Sequence, residues 1–215
     1  MFPSLNGVLS QSGVAPWYLA GGAPTPVAAY TFKGVASQAA SYVNQVNPGT
    51  YDLTAGVAPT WDATNGLIFN GTTQYLTTGV TPGDGWSVVF RFSNVSTAVI
   101  IGQRTSALNG LYLSPNSGAG TYYYNYGNRI VVTATPPTSG VMGIAGATGY
   151  LNGVAEAGTL PATITAPYQF FLGCLNTAGT PGVFSALRMQ SFAIWNTNTG
   201  HATWMPAVSA AAALI

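Results

Sequence analysis

Charge is what this sequence has least of: Asp, Glu, Lys and Arg make up 4% of its 215 residues, where ordinary soluble domains carry roughly 25%. Five basic and four acidic residues leave a formal net charge of +1. No field therefore steers phosphate or anionic lipid, and the clustered Lys and Arg of a nucleic-acid footprint are missing. The basic residues, Lys33, Arg91, Arg104, Arg129 and Arg188, are scattered along the chain, and no nucleic acid is expected as a partner. Cysteine is reduced to Cys174, which excludes an intramolecular disulfide; within FFLGCLN it reads as a small packed apolar residue. With His201 the sole histidine, no Cys/His spacing suggests zinc, and neither metal nor other cofactor is expected. Long apolar runs are missing too. No segment approaches the ~20 residues of a membrane span, so no membrane insertion is expected. The opening MFPSLNGVLSQSG lacks a basic n-region and does not read as a signal peptide.

What is there is apolar and turn-forming: 47% hydrophobic residues, with 27 Gly and 14 Pro. Polarity must come from Ser, Thr, Asn, Gln and exposed backbone. Residues 1–26 are rich in Gly, Pro and Ser and read as an extended arm, interrupted by one apolar island at Trp17, Tyr18 and Leu19. Residues 27–215 read as one all-β domain. A helical turn is expected over Ser37–Val46, capped by Ser37 and stopped by Asn47-Pro48-Gly49. From Tyr51 onward, short apolar or β-branched runs broken by Gly, Asn and Pro give the pattern of a sandwich or barrel. Strands are expected at Leu67–Phe69, Tyr75–Thr77, Trp86–Phe92, Ala98–Gln103, Gly110–Ser114, Thr121–Tyr126, Arg129–Thr133, Val141–Ala147, Thr148–Leu151, Val154–Ala157, Tyr168–Gly173 and Ala186–Trp195. Tight turns are expected at Asn70-Gly71, Asn109-Gly110 and Asn152-Gly153, where Asn and Gly tolerate positive φ. The Ala-rich tail from Thr199 reads as a helix capped by Asn198 or Thr199 and packed through Trp204, Val208 and Leu214.

The runs TWDATNGLIFNGTTQYLTTGV, WSVVFRF, ATGYLNGVAEAG, FFLGCLN and ALRMQSFAIWN, in that order before a terminal helix, resemble the laminin G-like, concanavalin A-like lectin jelly-roll superfamily. The resemblance spans Tyr30 to Ile215. It implies a two-sheet antiparallel jelly-roll sandwich in which GLIFN and QYL form a hairpin across Asn70-Gly71, YLNG joins two mid-sheet strands, and SFAIWN is the late strand before the helix. The arm together with AAYTFKGVASQAASYVNQVNPGTYDLT is similar to the lead-in of such modules in tail or head-appendage proteins of bacteriophages. That likeness implies a virion structural protein, located on the particle, with other virion proteins as partners and Trp17, Tyr18 and Leu19 as the assembly anchor. The near-absence of Lys to guard sheet edges points the same way, toward a chain covered by partners and forming a homo-oligomer.

The available chemistry is thin. Hydrolases on this fold set two carboxylates about the scissile bond, but the acids are Asp52, Asp62, Asp84 and Glu156, and the E-x-D-x-x-E arrangement of concanavalin-like glucanases is absent. His201 has no G-x-S-x-G elbow to serve. The chain is expected to be no enzyme. The stretch TYYYNYGNR offers more. Alternation sends Tyr122, Tyr124 and Tyr126 to one face of a strand and Tyr123 and Asn125 to the other. One reading has these residues filling the core and covering the outer face, as β-propensity favours. The other makes the outward Tyr and Asn, with Arg129, a neutral platform on which a cell-surface glycan stacks, so the glycan-binding candidates are Tyr122, Tyr123, Tyr124, Asn125, Tyr126 and Arg129. Binding to a nearly neutral chain should change little with salt. The functional expectation is thus a virion appendage or decoration protein, adhesive or reinforcing; the alternatives are a secreted carbohydrate-binding module or a glycan hydrolase.

Overall fold

Runs in which alternate side chains are apolar bury one face only, and two such sheets stacked face to face bury both. In the computed structural model, which describes residues 15–95 and 99–215, these runs become β1 (Ala28–Thr31), β2 (Thr54–Val57), β3 (Thr60–Asp62), β4 (Gly66–Asn70), β5 (Tyr75–Thr77), β6 (Ser87–Ser93), β7 (Val99–Arg104), β8 (Gly110–Asn116) and β9 (Tyr122–Tyr126). They continue as β10 (Arg129–Val132), β11 (Gly140–Ala145), β12 (Thr148–Leu151), β13 (Val154–Ala155), β14 (Phe171–Leu172), β15 (Cys174–Thr177), β16 (Thr180–Phe184) and β17 (Ala186–Trp195). A 3-10 turn (Trp17–Gly22) and two helices, α1 (Gln38–Ser41) and α2 (His201–Ala213), complete the described chain.

The first sheet runs β13-β12-β11-β6-β17-β4-β3 with β1 also on β17; the second runs β10-β9-β8-β7-β14-β5-β2, with β15 on both β16 and β7. Pairing is antiparallel apart from β15 against β7. The protein is therefore the all-β, two-sheet sandwich with a short C-terminal helix that the sequence implies. Tyr30, Phe90, Phe92, Tyr124, Phe170 and Phe192 are fully buried between the sheets, each contributing about 1.5–3 kcal/mol of apolar burial. A second apolar layer covers the outer face of the first sheet, where Val89, Val141, Ala193 and Trp195 meet Trp204, Met205 and Val208 of α2 and Tyr18 of the 3-10 turn. Gly21 has φ +65, and a Cβ there would run into Ala207, so glycine lets the turn lie against the helix. Cys174 is fully buried, and burial pushes its thiol up to about 12.

Several local expectations change. Asn70-Gly71 joins no hairpin, because β4 pairs with β3 and β17 in one sheet while β5 pairs with β2 and β14 in the other. The Asn70 Oδ1 instead accepts from Thr72 and Thr73 amides at 2.9 and 3.1 Å, turning the chain from sheet to sheet. Gly110 opens β8 rather than closing a turn. Asn152-Gly153 is a tight hairpin, with φ +51 and +80, but it lies at the sheet margin between β12 and β13. Ser37 caps α1 through Ala40 N (3.1 Å), and that helix ends at Ser41. For α2 the N-cap is Gly200, and Leu214 is 89% exposed rather than packed.

Candidate functional site

The tyrosine strand β9 alternates as expected, and burial differs sharply between its side chains. Tyr122, Tyr124 and Tyr126 face the core and are buried. Tyr126 donates to the Gly83 carbonyl, and Tyr122 donates to Glu156 Oε1 at 2.7 Å; burial and then that carboxylate push the Tyr122 phenol up to about 12. Asn125 lies on the other face yet is also buried, its Nδ2 donating to Leu108 O and Gly110 O at 2.9 and 2.8 Å. Of the six candidates, Tyr123 and Arg129 alone are half-buried, and they are stacked on each other: the guanidinium carbon sits 4.3 Å from the Tyr123 ring centroid. Arg129 also donates to Tyr112 Oη at 2.7 Å. On the outer side of β9 the Arg129 guanidinium thus packs over the Tyr123 ring.

Trp17, Tyr18 and Leu19 lie in the 3-10 turn against α2. Tyr18 is buried there, Trp17 and Leu19 are half-buried, and Trp17 Nε1 donates to Thr31 Oγ1 at 3.2 Å. The earlier part of the arm, up to Val14, lies outside the described residues. Three of the four acids hold loops, and Glu156 accepts from Tyr122. Asp52 accepts from the Asn44 amide (2.8 Å), Asp84 from the Ile164 amide (2.8 Å), and Asp62 from Thr64 and Asn65 amides (2.9 and 2.7 Å); the Asn65 bonds hold the Asp62 carboxyl below the usual carboxylate range. His201 Nδ1 lies 2.8 Å from Tyr150 Oη, and burial lowers its pKa. Among the described residues no three of His, Cys, Asp and Glu gather as metal ligands.

A site that linear reading missed lies on the outer face of the first sheet, beyond the last turn of α2. A cleft of about 290 Å³ is lined there by Lys33, Asn65, Arg91, Ser93, Asn152 and Gln190. Its construction follows from a β-bulge. Along β17, Met189 faces Phe92 of β6 and Ser191 faces Arg91, leaving Gln190 as the extra residue. At the same residue the other edge of β17 changes partner from β4 to β1. Bulges re-aim side chains, and here Gln190 lines the cleft while its carbonyl accepts from Phe32 and Lys33 amides at 2.8 and 3.3 Å. Gln190 Nε2 donates to Ser93 Oγ (2.6 Å) and to Asn65 O (3.3 Å), and a carbonyl can only accept, so the amide is oriented. Gln190 Oε1 is left without a partner although the residue is 4% exposed. Arg91 and Ser93 alternate with core-facing Phe90 and Phe92 along β6, and Arg91 Nη1 reaches Ala212 O of α2 at 3.4 Å. Arg188 Nη1 donates to Asn65 Oδ1 at 2.8 Å. Lys33 and Arg91, far apart in sequence, line the same cleft, and Arg188 reaches its lining residue Asn65.

No family model matches the sequence, and no curated protein matches it. Solved structures do. Domain 4 of an extracellular GH43 arabinanase from Geobacillus stearothermophilus, solved with arabinotriose, matches at TM-score 0.55 and 14% identity over 86% of this chain and 98% of that domain. Trypanosoma rangeli sialidase, in complex with sialic acid, matches at TM-score 0.56 and 13% identity over 86% of this chain and 33% of the sialidase. The chain thus spans about a third of the sialidase's length. These likenesses support the concanavalin-like sandwich, and they overturn the expectation that the chain is no enzyme: this fold occurs in an arabinanase, as its domain 4, and within a sialidase, both enzymes.

Proposed function

We propose that this chain is a carbohydrate-binding β-sandwich domain of a glycan-processing protein, and that it holds its sugar in the cleft beyond α2 rather than on the tyrosine strand. The observation that carries this reading is Gln190: a buried amide, oriented through its nitrogen, with an acceptor oxygen that meets no partner, in a residue lining a cleft where hydroxyls, amides and two cations outnumber the apolar Phe92, Val141 and Ala213. Leaving a buried acceptor unmet costs about 1–3 kcal/mol; a hydroxyl entering the cleft recovers it. The cleft's size is at the lower end of the ~300–1,000 Å³ of small-ligand sites and suits a ring or two. Similarity to an arabinanase domain solved with arabinotriose supports the same class of ligand.

Ser139 lines the cleft and is exposed, so Ser139→Trp plugs the opening without entering the core. Binding to an immobilised glycan panel should fall at least about tenfold, a loss of ~1.4 kcal/mol, at an unchanged melting temperature. Undiminished binding would place the sugar elsewhere.

A second reading, attachment to a virus particle as an appendage or decoration protein, draws on the scarcity of charge and on one surface feature. An apolar groove of about 670 Å³, lined by Pro16, Trp17, Tyr18, Val43 and Pro48, runs beside the 3-10 turn, and aromatic residues are common anchors at interfaces. Stoichiometric presence in purified particles tests that reading; absence from them removes it.

A further inference from the structure

We propose that the ligand of the cleft beyond α2 is an acidic glycan, a sugar bearing a carboxylate; this rests on the reading of that cleft as a glycan site and goes further by fixing the ligand's charge. The chain has five basic residues in all. Lys33 and Arg91 line the cleft, and Arg188 is fastened to its wall through Asn65. No carboxylate lines it. The nearest acid in sequence to that wall, Asp62, bonds Thr64 and Asn65 in its own loop and interacts with the Arg188 charge, which leaves Lys33 and Arg91 as the uncompensated cations. In a nearly neutral protein, that convergence leaves a local positive potential which nothing of opposite sign on the lining cancels.

The three cations have different tasks. Arg91 faces the carbonyls of the last turn of α2, where a cation is favoured by the helix dipole, and one of its five N–H donors meets Ala212 O. Arg188 is held by Asn65. Lys33 is half-buried, and its side chain has no bonded partner among the described residues; it is the point charge left for a ligand. A carboxylate satisfies Lys33 and the remainder of the Arg91 fork. It cannot satisfy Gln190 Oε1, which requires a donor. An inorganic anion would meet the cations alone, and a neutral sugar the amide alone. A uronic- or sialic-type sugar meets both, because it carries a carboxylate and hydroxyls on one ring. The expectation of salt-insensitive binding, drawn from net charge, reverses, since local charge at the cleft governs the contact.

The test uses the full chain, titrated calorimetrically with two matched pairs: oligogalacturonide against its methyl ester, and sialyllactose against lactose. The acidic member of at least one pair should bind about tenfold tighter or better, the scale of a hydrogen bond to a charged group. Raising salt from about 50 to about 500 mM should erode that preference. Lys33→Gln should abolish it at an unchanged melting temperature. If neutral members bind as well as acidic ones, the inference is overturned and the glycan-binding reading stands. If no member of either pair binds, both fall. If the preference survives Lys33→Gln, the carboxylate does not rest on Lys33, and the inference is again overturned.

Discussion

The two outer faces of the sandwich each bury an amide whose oxygen has no partner, Asn125 on the second sheet and Gln190 on the first, and their surroundings differ. Asn125 lies beneath the loop that carries Leu108, with Tyr112, Tyr123 and Arg129 closed upon one another beside it. Gln190 opens on a cleft with Lys33 and Arg91. On the second sheet Tyr112, Tyr123 and Arg129 pack on one another over the face, although the Asn125 oxygen and Arg129 Nε keep no partner. On the first sheet α2 and the 3-10 turn cover most of the apolar surface and stop short of Arg91 and Ser93. A strand dense in tyrosine can thus be mostly core, while a bulge can set one glutamine at a cleft that composition does not mark.

The largest effect that could break this comparison is predicted at Tyr124. Its ring is fully buried, so Tyr124→Ala should destabilise the domain by about 3–5 kcal/mol in chemical denaturation. Its hydroxyl has no partner, so Tyr124→Phe should cost nothing or stabilise by up to about 1 kcal/mol. A mild Tyr124→Ala would mean that the tyrosine strand is not core. Tyr123→Ala, on the opposite side of the same strand, removes the ring under Arg129 and should cost on the order of 1 kcal/mol, the scale of a partly exposed cation–π contact. Glycan affinity should stay at the parent value.

The smallest effect concerns pH. His201, packed on Tyr150 beneath the first face, has its pKa lowered by burial. In the range between that lowered value and the ordinary histidine value of about 6.5, the unfolded chain binds the proton and the folded chain does not. This contribution to stability is therefore complete above about pH 6.5 and is lost as pH falls through the folded value. The decline should disappear in His201→Gln, measured by melting temperature from neutral to mildly acid buffer.

The sandwich was legible because strand periodicity and turn residues are local signals. Tyr75–Thr77, Thr148–Leu151 and Ala186–Trp195 form with the expected bounds. Less was legible wherever the partner decides. The hairpin of β15 and β16 was hidden by Pro and Gly in TPGVF, and β1 exists because β17 offers an edge. Asn70-Gly71 has hairpin chemistry, yet whether a turn returns within a sheet or crosses to the next depends on pairings no local window contains. The site was harder still. The tyrosines of β9 drew attention by composition, but exposure, which decides function, is a property of the loops folded over them. The cleft gathers residues from positions 33 to 213. Its organising feature, the extra residue in ALRMQSFAIW, leaves no mark in a run that reads equally well as an unbroken strand.

The account stands or falls on which outer face meets the sugar, and one measurement addresses it: titration of Ser139→Trp and Tyr123→Ala side by side with the parent, against the glycan that the parent binds most tightly. The account predicts that Ser139→Trp loses binding while Tyr123→Ala retains it, both with folded cores. Binding that survives the plugged cleft and disappears with the Tyr123 ring would contradict it and return the site to the tyrosine strand.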